Sequence, residues 1–278
     1  HVHNPAVPIH YGVERGVLLD VVVENMQEQY EGFVDERGAP GTSFAPADDP
    51  DVAPPTITED MAAVITVAPG KGFTNIFYSL GAAQVIAGGQ TMNPSTRDFI
   101  DAIEALPTSR VIILPNNSNI FMAANQAASA ANGKDVRVIP TRTIPQGISA
   151  LLVLDPYGEM DEVTASMQDM IQSVETGEIT TSVRNTTFNG LSVREGQIIG
   201  LHNDVMCVAG EELKETLLDL LEKMGADSRE LITLYRGMDV SRAEADAMVK
   251  SVQEAYPEHE IELRYGGQPH YFYVIGVE

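Results

Sequence analysis

The sequence predicts an α/β protein with two lobes, on three observations. From Met61 onward, short apolar runs alternate with amphipathic segments of helix length, the pattern of a parallel sheet covered on both faces. In the second half, the runs are interrupted by turn signals such as Asn189-Gly190, which favour antiparallel hairpins. The chain has 278 residues, of which 44% are apolar, enough for a sizeable core. We therefore expect a doubly wound first lobe and a mixed α/β second lobe.

The first lobe is predicted to cover residues 61–144. Continuous apolar runs predict strands, and amphipathic segments predict helices. Ser95 is a good N-cap, because Asp98 follows at the third helical position. The predicted strands are 62–68, 84–87, 111–114 and 136–139, and the predicted helices are 73–80, 95–106 and 119–131.

The second lobe is predicted to cover residues 145–278. Turn signals at Asn189-Gly190 and at His202-Asn203-Asp204 separate short β-branched runs. The predicted strands are 179–184, 197–201, 205–208, 231–235, 261–265 and 271–277, and the predicted helices are 147–154, 159–174, 211–224 and 242–256.

The first 60 residues differ in composition from the rest. Residues 1–34 contain a strand-like run, and residues 35–60 hold five of the 16 prolines and seven acidic residues against one Arg. A segment of that kind buries too little apolar area to offset its ordering entropy, so we predict an acidic, Pro-rich linker. The chain opens within a strand-like His-Val-His without an initiating Met, so we expect it to be a fragment.

Charge and hydropathy restrict the partners. Forty acidic against 17 basic residues give a net charge of −23, which disfavours nucleic acid and acidic membrane surfaces. No apolar run reaches the roughly 20 residues that a membrane span needs. The single Cys excludes an internal disulfide. These observations predict a cytoplasmic protein without a membrane span.

Polar side chains follow three predicted strands at the edge where ligands collect in open parallel sheets. Amides and hydroxyls there bind polar or anionic groups, and none pairs a nucleophile with a base, so we predict no catalytic residue. Ordinary turns and helix caps are the alternative interpretation. The candidate ligand- or partner-binding residues are Gln90, Thr91, Asn93, Ser95, Thr96, Asn116, Asn117, Asn119, Thr141, Thr143 and Gln146.

Two glycine-containing turns add candidates. Gly266, Gly267 and Gln268 precede an aromatic strand, and we count them as candidate binding residues, in a turn or at an interface. Gly70-Lys71-Gly72 lies between a strand and a helix but lacks the spacing of nucleotide-binding loops. We therefore predict an eased turn there, with Lys71 exposed.

Four motifs in order carry a family resemblance. They are Gly88 to Thr96, Leu114-Pro115-Asn116-Asn117-Ser118-Asn119-Ile120, Ile139 to Gly147, and Tyr265-Gly266-Gly267-Gln268-Pro269. Together they resemble the C-terminal region of the ATP-binding subunit of bacterial fatty acid kinase, often labelled DAK2-domain or Dak phosphatase-like. That region is similar to the DegV fold of fatty-acid carriers. The resemblance runs from about residue 61 to the end, and more weakly over residues 1–30.

The resemblance implies functions for each part. Residues 1–34 resemble the tail of a middle domain, through which the kinase protein would form a homodimer. His1 and His3 match a His-x-His of that domain and share a strand face, so zinc binding is an incomplete candidate. Mg-ATP would sit on a missing upstream domain, because the chain has no Asp-Gly-Asp cluster. The altered serine loop, Thr91 to Ser95, departs from the carriers' carboxylate-binding loop.

Three functional hypotheses follow. The first is a non-catalytic module that docks a fatty-acid-loaded carrier of DegV type, so that a separate ATP-binding domain phosphorylates the fatty acid to acyl phosphate. The second is a DegV-like protein that itself holds a fatty acid between its lobes. The third is an independent phosphatase or kinase, although the residues give no basis for expecting turnover by this chain alone.

Overall fold

A computed structural model describes residues 51–89, 92–188 and 191–278, all within one compact unit of residues 48–278. The strands are β1 (Ala62–Ala68), β2 (Gln84–Ala87), β3 (Arg110–Leu114), β4 (Asp135–Val138), β5 (Glu175–Thr181), β6 (Thr186–Phe188), β7 (Leu191–Val193), β8 (Ile198–His202), β9 (Val205–Gly210), β10 (Leu231–Arg236), β11 (Glu260–Tyr265) and β12 (Tyr271–Val277). The α-helices are α1 (Lys71–Ser79), α2 (Thr96–Ala105), α3 (Phe121–Ala130), α4 (Ile144–Leu152), α5 (Met160–Met170), α6 (Leu213–Lys223) and α7 (Arg242–Ala255). Short 3₁₀ helices cover Ser118–Ile120 and Ala226–Ser228.

The first sheet is parallel, with strand order β2-β1-β3-β4. All seven residues of β1 are buried, as the continuous apolar run predicts for a strand covered on both faces. Odd-numbered residues such as Ile65 pack with α2 and α3. Even-numbered residues such as Val64 pack with α1, α4 and α5. The doubly wound arrangement predicted for the first lobe is therefore confirmed.

The second sheet is mixed, with strand order β11-β10-β12-β5-β8-β9. Only β10 and β11 pair in parallel among these strands, and the other neighbours are antiparallel. One face packs against α6 and α7 through residues such as Leu217 and Val252. On the other face, Tyr235 and Val274 join the core that lies beneath β1 and β3. The two sheets thus share one hydrophobic cluster.

Two antiparallel hairpins lie where the turn signals predict them. β6 and β7 pair on either side of Asn189-Gly190. β8 and β9 pair across Asn203 and Asp204, whose φ angles of 49° and 67° are left-handed. Asn and Asp tolerate that conformation better than most residues, which explains why the chain reverses there.

Some element bounds differ from the sequence prediction. Helix α4 begins at Ile144 rather than at 147, because Thr143 caps it and Pro145 occupies the first turn. Helix α5 ends at Met170 rather than at 174. β5 begins at Glu175 and ends at Thr181, whereas the prediction was 179–184. Its polar residues Thr176 and Glu178 concealed the strand, since they interrupt the apolar run.

Residues 51–60 belong to the predicted linker and are described without regular secondary structure. The backbone amide of Val52 donates to Asn75 Oδ1 at 3.3 Å, and the Lys71 ammonium lies 2.5 Å from the Asp51 carboxylate. The C-terminal end of this segment therefore runs along α1. The predicted middle-domain tail, with His1 and His3, and the linker before residue 51 lie outside the described residues.

Candidate functional site

The carboxyl edge of the first sheet brings three of the predicted loops together. Asn116 follows β3, and it is buried with a φ of 57°. Its Nδ2 donates to Thr66 Oγ1 and to the Val67 carbonyl, both at 2.8 Å. Its backbone amide donates to Thr141 Oγ1 at 3.0 Å, which ties the loop after β3 to the loop after β4. Asn116 and Thr141 are therefore cross-links between strands.

A glycine makes room for that cross-link. A Cβ atom on Gly147 would lie 2.2 Å from Asn116 Oδ1, far inside van der Waals contact. Helix α4 thus approaches the Asn116 side chain as closely as backbone allows. Asn116 Oδ1 is buried without a hydrogen-bond partner.

The asparagines after Asn116 form a local cap. Asn117 is buried, and its Oδ1 accepts a 2.8 Å hydrogen bond from the Asn119 backbone amide at the start of the 3₁₀ helix. Ser118 and Asn119 are exposed. Of the three predicted asparagines, only Asn119 presents its side chain to the surface.

Thr143 and Gln146 organise the start of α4. Thr143 Oγ1 accepts from the Gln146 backbone amide at 3.4 Å and shares a 2.7 Å hydrogen bond with Thr176 Oγ1 of β5. Gln146 Oε1 accepts from the Arg142 amide at 2.8 Å, and its Nε2 donates to the Ile171 carbonyl at 3.4 Å. The Thr143–Thr176 bond is buried and connects the first sheet's edge to the second sheet.

The loop after β2 is capped as predicted. Ser95 Oγ accepts from the Asp98 amide at 3.3 Å, and the Asp98 carboxylate accepts from the Ser95 amide at 2.7 Å, which completes a capping box. The Ser95 hydroxyl, followed by its backbone amide, lowers the pKa of Asp98. Thr96 Oγ1 donates to Gln126 Oε1 of α3 at 3.0 Å. Asn93 is exposed, and Gln90 and Thr91 lie outside the described residues.

The glycine turns after β1 and β11 interlock. The Phe73 backbone amide, in the first turn of α1, donates to the Gly266 carbonyl at 2.9 Å. A Cβ atom on Gly72 would lie 2.1 Å from the Tyr265 carbonyl oxygen, and one on Gly70 would lie 2.2 Å from that of Gly267. The N-terminus of α1 is thus occupied by the chain's own backbone, where a phosphate loop would leave its amides to a ligand.

Gln268 completes this interlock. It is 1% exposed, and its Nε2 donates to the Tyr235 carbonyl at 2.8 Å. Its Oε1 is buried without a partner. Nearby, the Arg236 guanidinium lies 4.4 Å from the centre of the Tyr265 ring, a cation–π contact. Gly266, Gly267 and Gln268 therefore hold the two sheets together.

Sequence reasoning missed a buried carboxyl group on β5. Glu178 lies two residues from Thr176 and so shares its strand face, and its Oε2 is buried without a partner. Burial raises the pKa of Glu178 to about 7, and the Asp204 charge adds to the rise. Desolvation likewise raises the pKa of Asp204, opposed by Arg142. Burial raises the pKa of Tyr271, with the Glu178 charge contributing. Alternate polar residues at 176, 178 and 180 were the available signal.

A histidine–carboxylate pair closes the β8–β9 turn. His202 Nε2 lies 2.6 Å from Glu175 Oε2, and Asn203 Nδ2 donates to the same oxygen at 2.7 Å. Desolvation opposes ionisation of Glu175, but these hydrogen bonds outweigh it and lower its pKa. The pair anchors the turn to β5. Across the residues that the structure describes, no group of three or more His, Cys, Asp or Glu side chains is arranged to hold a metal ion.

The two sheets and the interlock between them define a two-lobed α/β fold of the DegV type. The DegV family protein Cg2579 of Corynebacterium glutamicum aligns with a TM-score of 0.59 and 16% identity, over 78% of this chain and 97% of that one. A DegV family protein from Thermus thermophilus, described for its fatty acid binding, aligns with a TM-score of 0.53 and 13% identity, over 78% and 99%. The predicted fold class is confirmed.

The sequence of residues 63–278 matches the FakA-like C-terminal family of fatty acid kinase, and the chain belongs to that family. Protein YloV of Bacillus subtilis is 38% identical over 278 residues, which are 100% of this chain and 48% of that protein. The chain thus spans about half the length of the curated relatives it matches. Within the described part of the chain, no helix is both long enough and apolar enough to cross a bilayer.

Proposed function

We propose that this domain is the non-catalytic docking module of a fatty acid kinase. It binds a fatty-acid-loaded carrier of DegV type and presents it to a separate ATP-binding domain, which phosphorylates the carboxylate to an acyl phosphate. Family membership supports a fatty-acid-related module. The docking step and the reaction are our proposal for the whole protein, of which this chain is a part.

One observation carries the proposal: the polar groups at the carboxyl edge of the first sheet are engaged within the chain. The Asn116 amide, the Thr143 hydroxyl and the Gln268 amide all hydrogen-bond to other residues of this chain. A ligand carboxylate would have to break these buried bonds, and a buried group that loses its partner costs about 1–3 kcal/mol. These groups therefore shape the domain and leave little donor capacity for a fatty acid headgroup.

The unpartnered atoms point the same way. Asn116 Oδ1, Gln268 Oε1 and Glu178 Oε2 are buried acceptors without a donor. A fatty acid carboxylate brings no hydrogen-bond donor, so it cannot satisfy them. At Glu178 it would also approach the charge of Asp204, which already raises the pKa of that carboxyl. We therefore favour the docking module over a lipid-binding domain.

The side chains that remain at the surface near this edge suit a protein partner. Met92 is 59% exposed and Met122 is 73% exposed, and Asn93 and Asn119 are exposed too. Methionine is enriched at protein interfaces, where its flexible side chain adapts to a partner. A patch of methionine and amide side chains supports docking of a folded carrier.

Calorimetry tests the proposal. We expect this chain to bind the fatty-acid-loaded DegV-type carrier of its own organism, and native mass spectrometry of the gently purified chain to show no bound acyl group. Absence of binding by the chain, with a carrier shown to be folded and loaded, would refute docking. A retained acyl chain would instead establish the lipid-binding alternative.

The remaining expectations stay proposals. Cytoplasmic location fits the net charge of −23 and the single cysteine. The homodimer through the middle domain, Mg-ATP on an upstream domain and zinc at His1 and His3 concern parts of the protein outside the described residues. Sequencing upstream of His1 tests the second of these, since an Asp-Gly-Asp cluster is expected there.

A further inference from the structure

The outer face of α3 forms a shallow groove. Five residues at positions i, i+3, i+4, i+7 and i+8 line a depression of about 440 Å³. That spacing places all of them on one helix face. They are Met122, Asn125, Gln126, Ser129 and Ala130.

The groove continues towards α2. A second depression of about 120 Å³ shares Ala130 with the first and is also lined by Ile100, Glu104 and Lys134. The Thr96–Gln126 hydrogen bond of 3.0 Å fastens α2 to α3 along the groove. Lys134 is engaged at the far end, where its Nζ donates to the Ile103 carbonyl at 2.8 Å. The groove is therefore preformed by two helices held in fixed register.

The floor of the groove carries no charge. Helix α3 has no acidic or basic residue over its ten positions. Among the described helices, α4 shares this property, but most of its residues are buried, whereas Met122 is 73% exposed. In a chain with a net charge of −23, an exposed uncharged helix face stands out, and the centres of protein interfaces are depleted of charge.

One side of the groove is acidic. The exposed residues of α2 include Asp98, Asp101 and Glu104 against a single base, Arg97, which is paired with Asp101 at 2.6 Å. The flank along α2 is thus net negative. A matching partner surface carries apolar or small side chains at its centre and positive charge on the side that lies over α2.

We propose that this groove receives an amphipathic helix of the carrier, with small or apolar residues on its contact face and Lys or Arg facing α2. Met122 to Ala130 spans about 12 Å at 1.5 Å per residue, which suits a helix of about three turns. A second copy of this chain would bring another acidic surface and is disfavoured by charge. The inference rests on the proposed function and names the surface on which the docking takes place.

Two pairs of variants of this chain test it against the loaded carrier by calorimetry. Met122→Glu is expected to weaken binding by about tenfold or more, as loss of a central anchor does. Its control, Met238→Glu, changes a methionine that is 56% exposed in the loop after β10 and is expected to leave the affinity unchanged. Glu104→Lys is expected to weaken binding and reduce its salt dependence, whereas Glu215→Lys on α6 is not.

The outcomes separate the groove from the proposed function. If the unchanged chain binds the carrier and Met122→Glu binds equally well, the groove is not the docking surface, and the docking function stands. If the unchanged chain does not bind, the proposed function fails and the groove with it. If Met122→Glu abolishes self-association in sedimentation velocity without altering carrier binding, a second copy occupies the groove and the inference is overturned. Unchanged melting temperatures of the four variants confirm that each is folded.

Discussion

The backbone amide of Phe73 donates a 2.9 Å hydrogen bond to the backbone carbonyl of Gly266, two residues that are far apart in sequence. This bond joins the first turn of α1 to the turn that follows β11. Gly70 and Gly72 on one side and Gly267 on the other allow the backbones to meet. Two glycine motifs that resemble ligand loops are therefore the two halves of a single structural contact.

The first prediction concerns that contact. Gly72→Ala places a Cβ atom 2.1 Å from the Tyr265 carbonyl oxygen, and backbone on both sides cannot yield easily. We expect a loss of about 1–3 kcal/mol in the free energy of unfolding, measured by urea denaturation. The control is Lys71→Ala, which removes an exposed ion pair with Asp51 and is expected to cost less than about 1 kcal/mol. Equal stability of the two variants would contradict the interlock.

The second prediction distinguishes structural from ligand-binding asparagines. Asn116→Ala removes two buried donor contacts, to Thr66 and to the Val67 carbonyl, and leaves Ala in a left-handed conformation. We expect a loss of about 2–4 kcal/mol, read from thermal and urea unfolding. Asn119→Ala, at an exposed position of the same loop, is expected to change stability by less than about 0.5 kcal/mol. A ligand-only role for Asn116 predicts instead that both variants are equally stable.

Most of the fold was predictable from the sequence, for a physical reason. Strands buried on both faces read as continuous apolar runs, as in Val64 and Ile65 of β1, and capped helices announce their start, as at Ser95. β5 was predicted less well, because Thr176 and Glu178 face the other sheet's loops and break the apolar pattern. A polar residue that is satisfied by a distant partner looks like a loop residue in a single sequence.

The candidate site was predictable only in part. Sequence placed Asn116, Thr141 and Thr143 at one sheet edge, and the structure brings them together there. It did not reveal that their hydrogen bonds are made within the chain, since Thr66 and Thr176 lie far away in sequence. The groove on α3 was missed for a different reason: an uncharged face is informative only when the fold shows that it is exposed.

The third prediction tests the bond between the two sheets. Thr176→Val keeps the side-chain shape but removes the 2.7 Å hydrogen bond to Thr143. We expect a loss of about 0.5–1.5 kcal/mol in the free energy of unfolding. A double-mutant cycle with Thr143→Val is expected to give a coupling energy above about 0.5 kcal/mol. Thr187→Val, on the β6 strand, serves as the control, and additive effects of the two core variants would show that the hydroxyls do not interact.

The fourth prediction concerns the pH dependence of stability. Burial raises the pKa of Glu178 in the folded protein to about 7 from an ordinary value of 4.5. The folded state therefore holds this proton more tightly than the unfolded state does. Its stabilising contribution is fully present below the unfolded pKa and is lost as the pH rises to about 7.

Glu178→Gln removes this ionisation while keeping the size and polarity of the side chain. We expect the variant to be more stable than the unchanged chain at pH 8, by on the order of 1–3 kcal/mol, with the difference shrinking towards pH 5. Urea denaturation at several pH values measures it. Asp204→Asn removes the charge that adds to the rise, so it is expected to shift the Glu178 transition to lower pH. Glu254→Gln, exposed on α7, controls for a general loss of negative charge. A Glu178→Gln stability curve parallel to that of the unchanged chain between pH 5 and 8 would mean that Glu178 is ionised in the folded protein, with a cation or donor beside it.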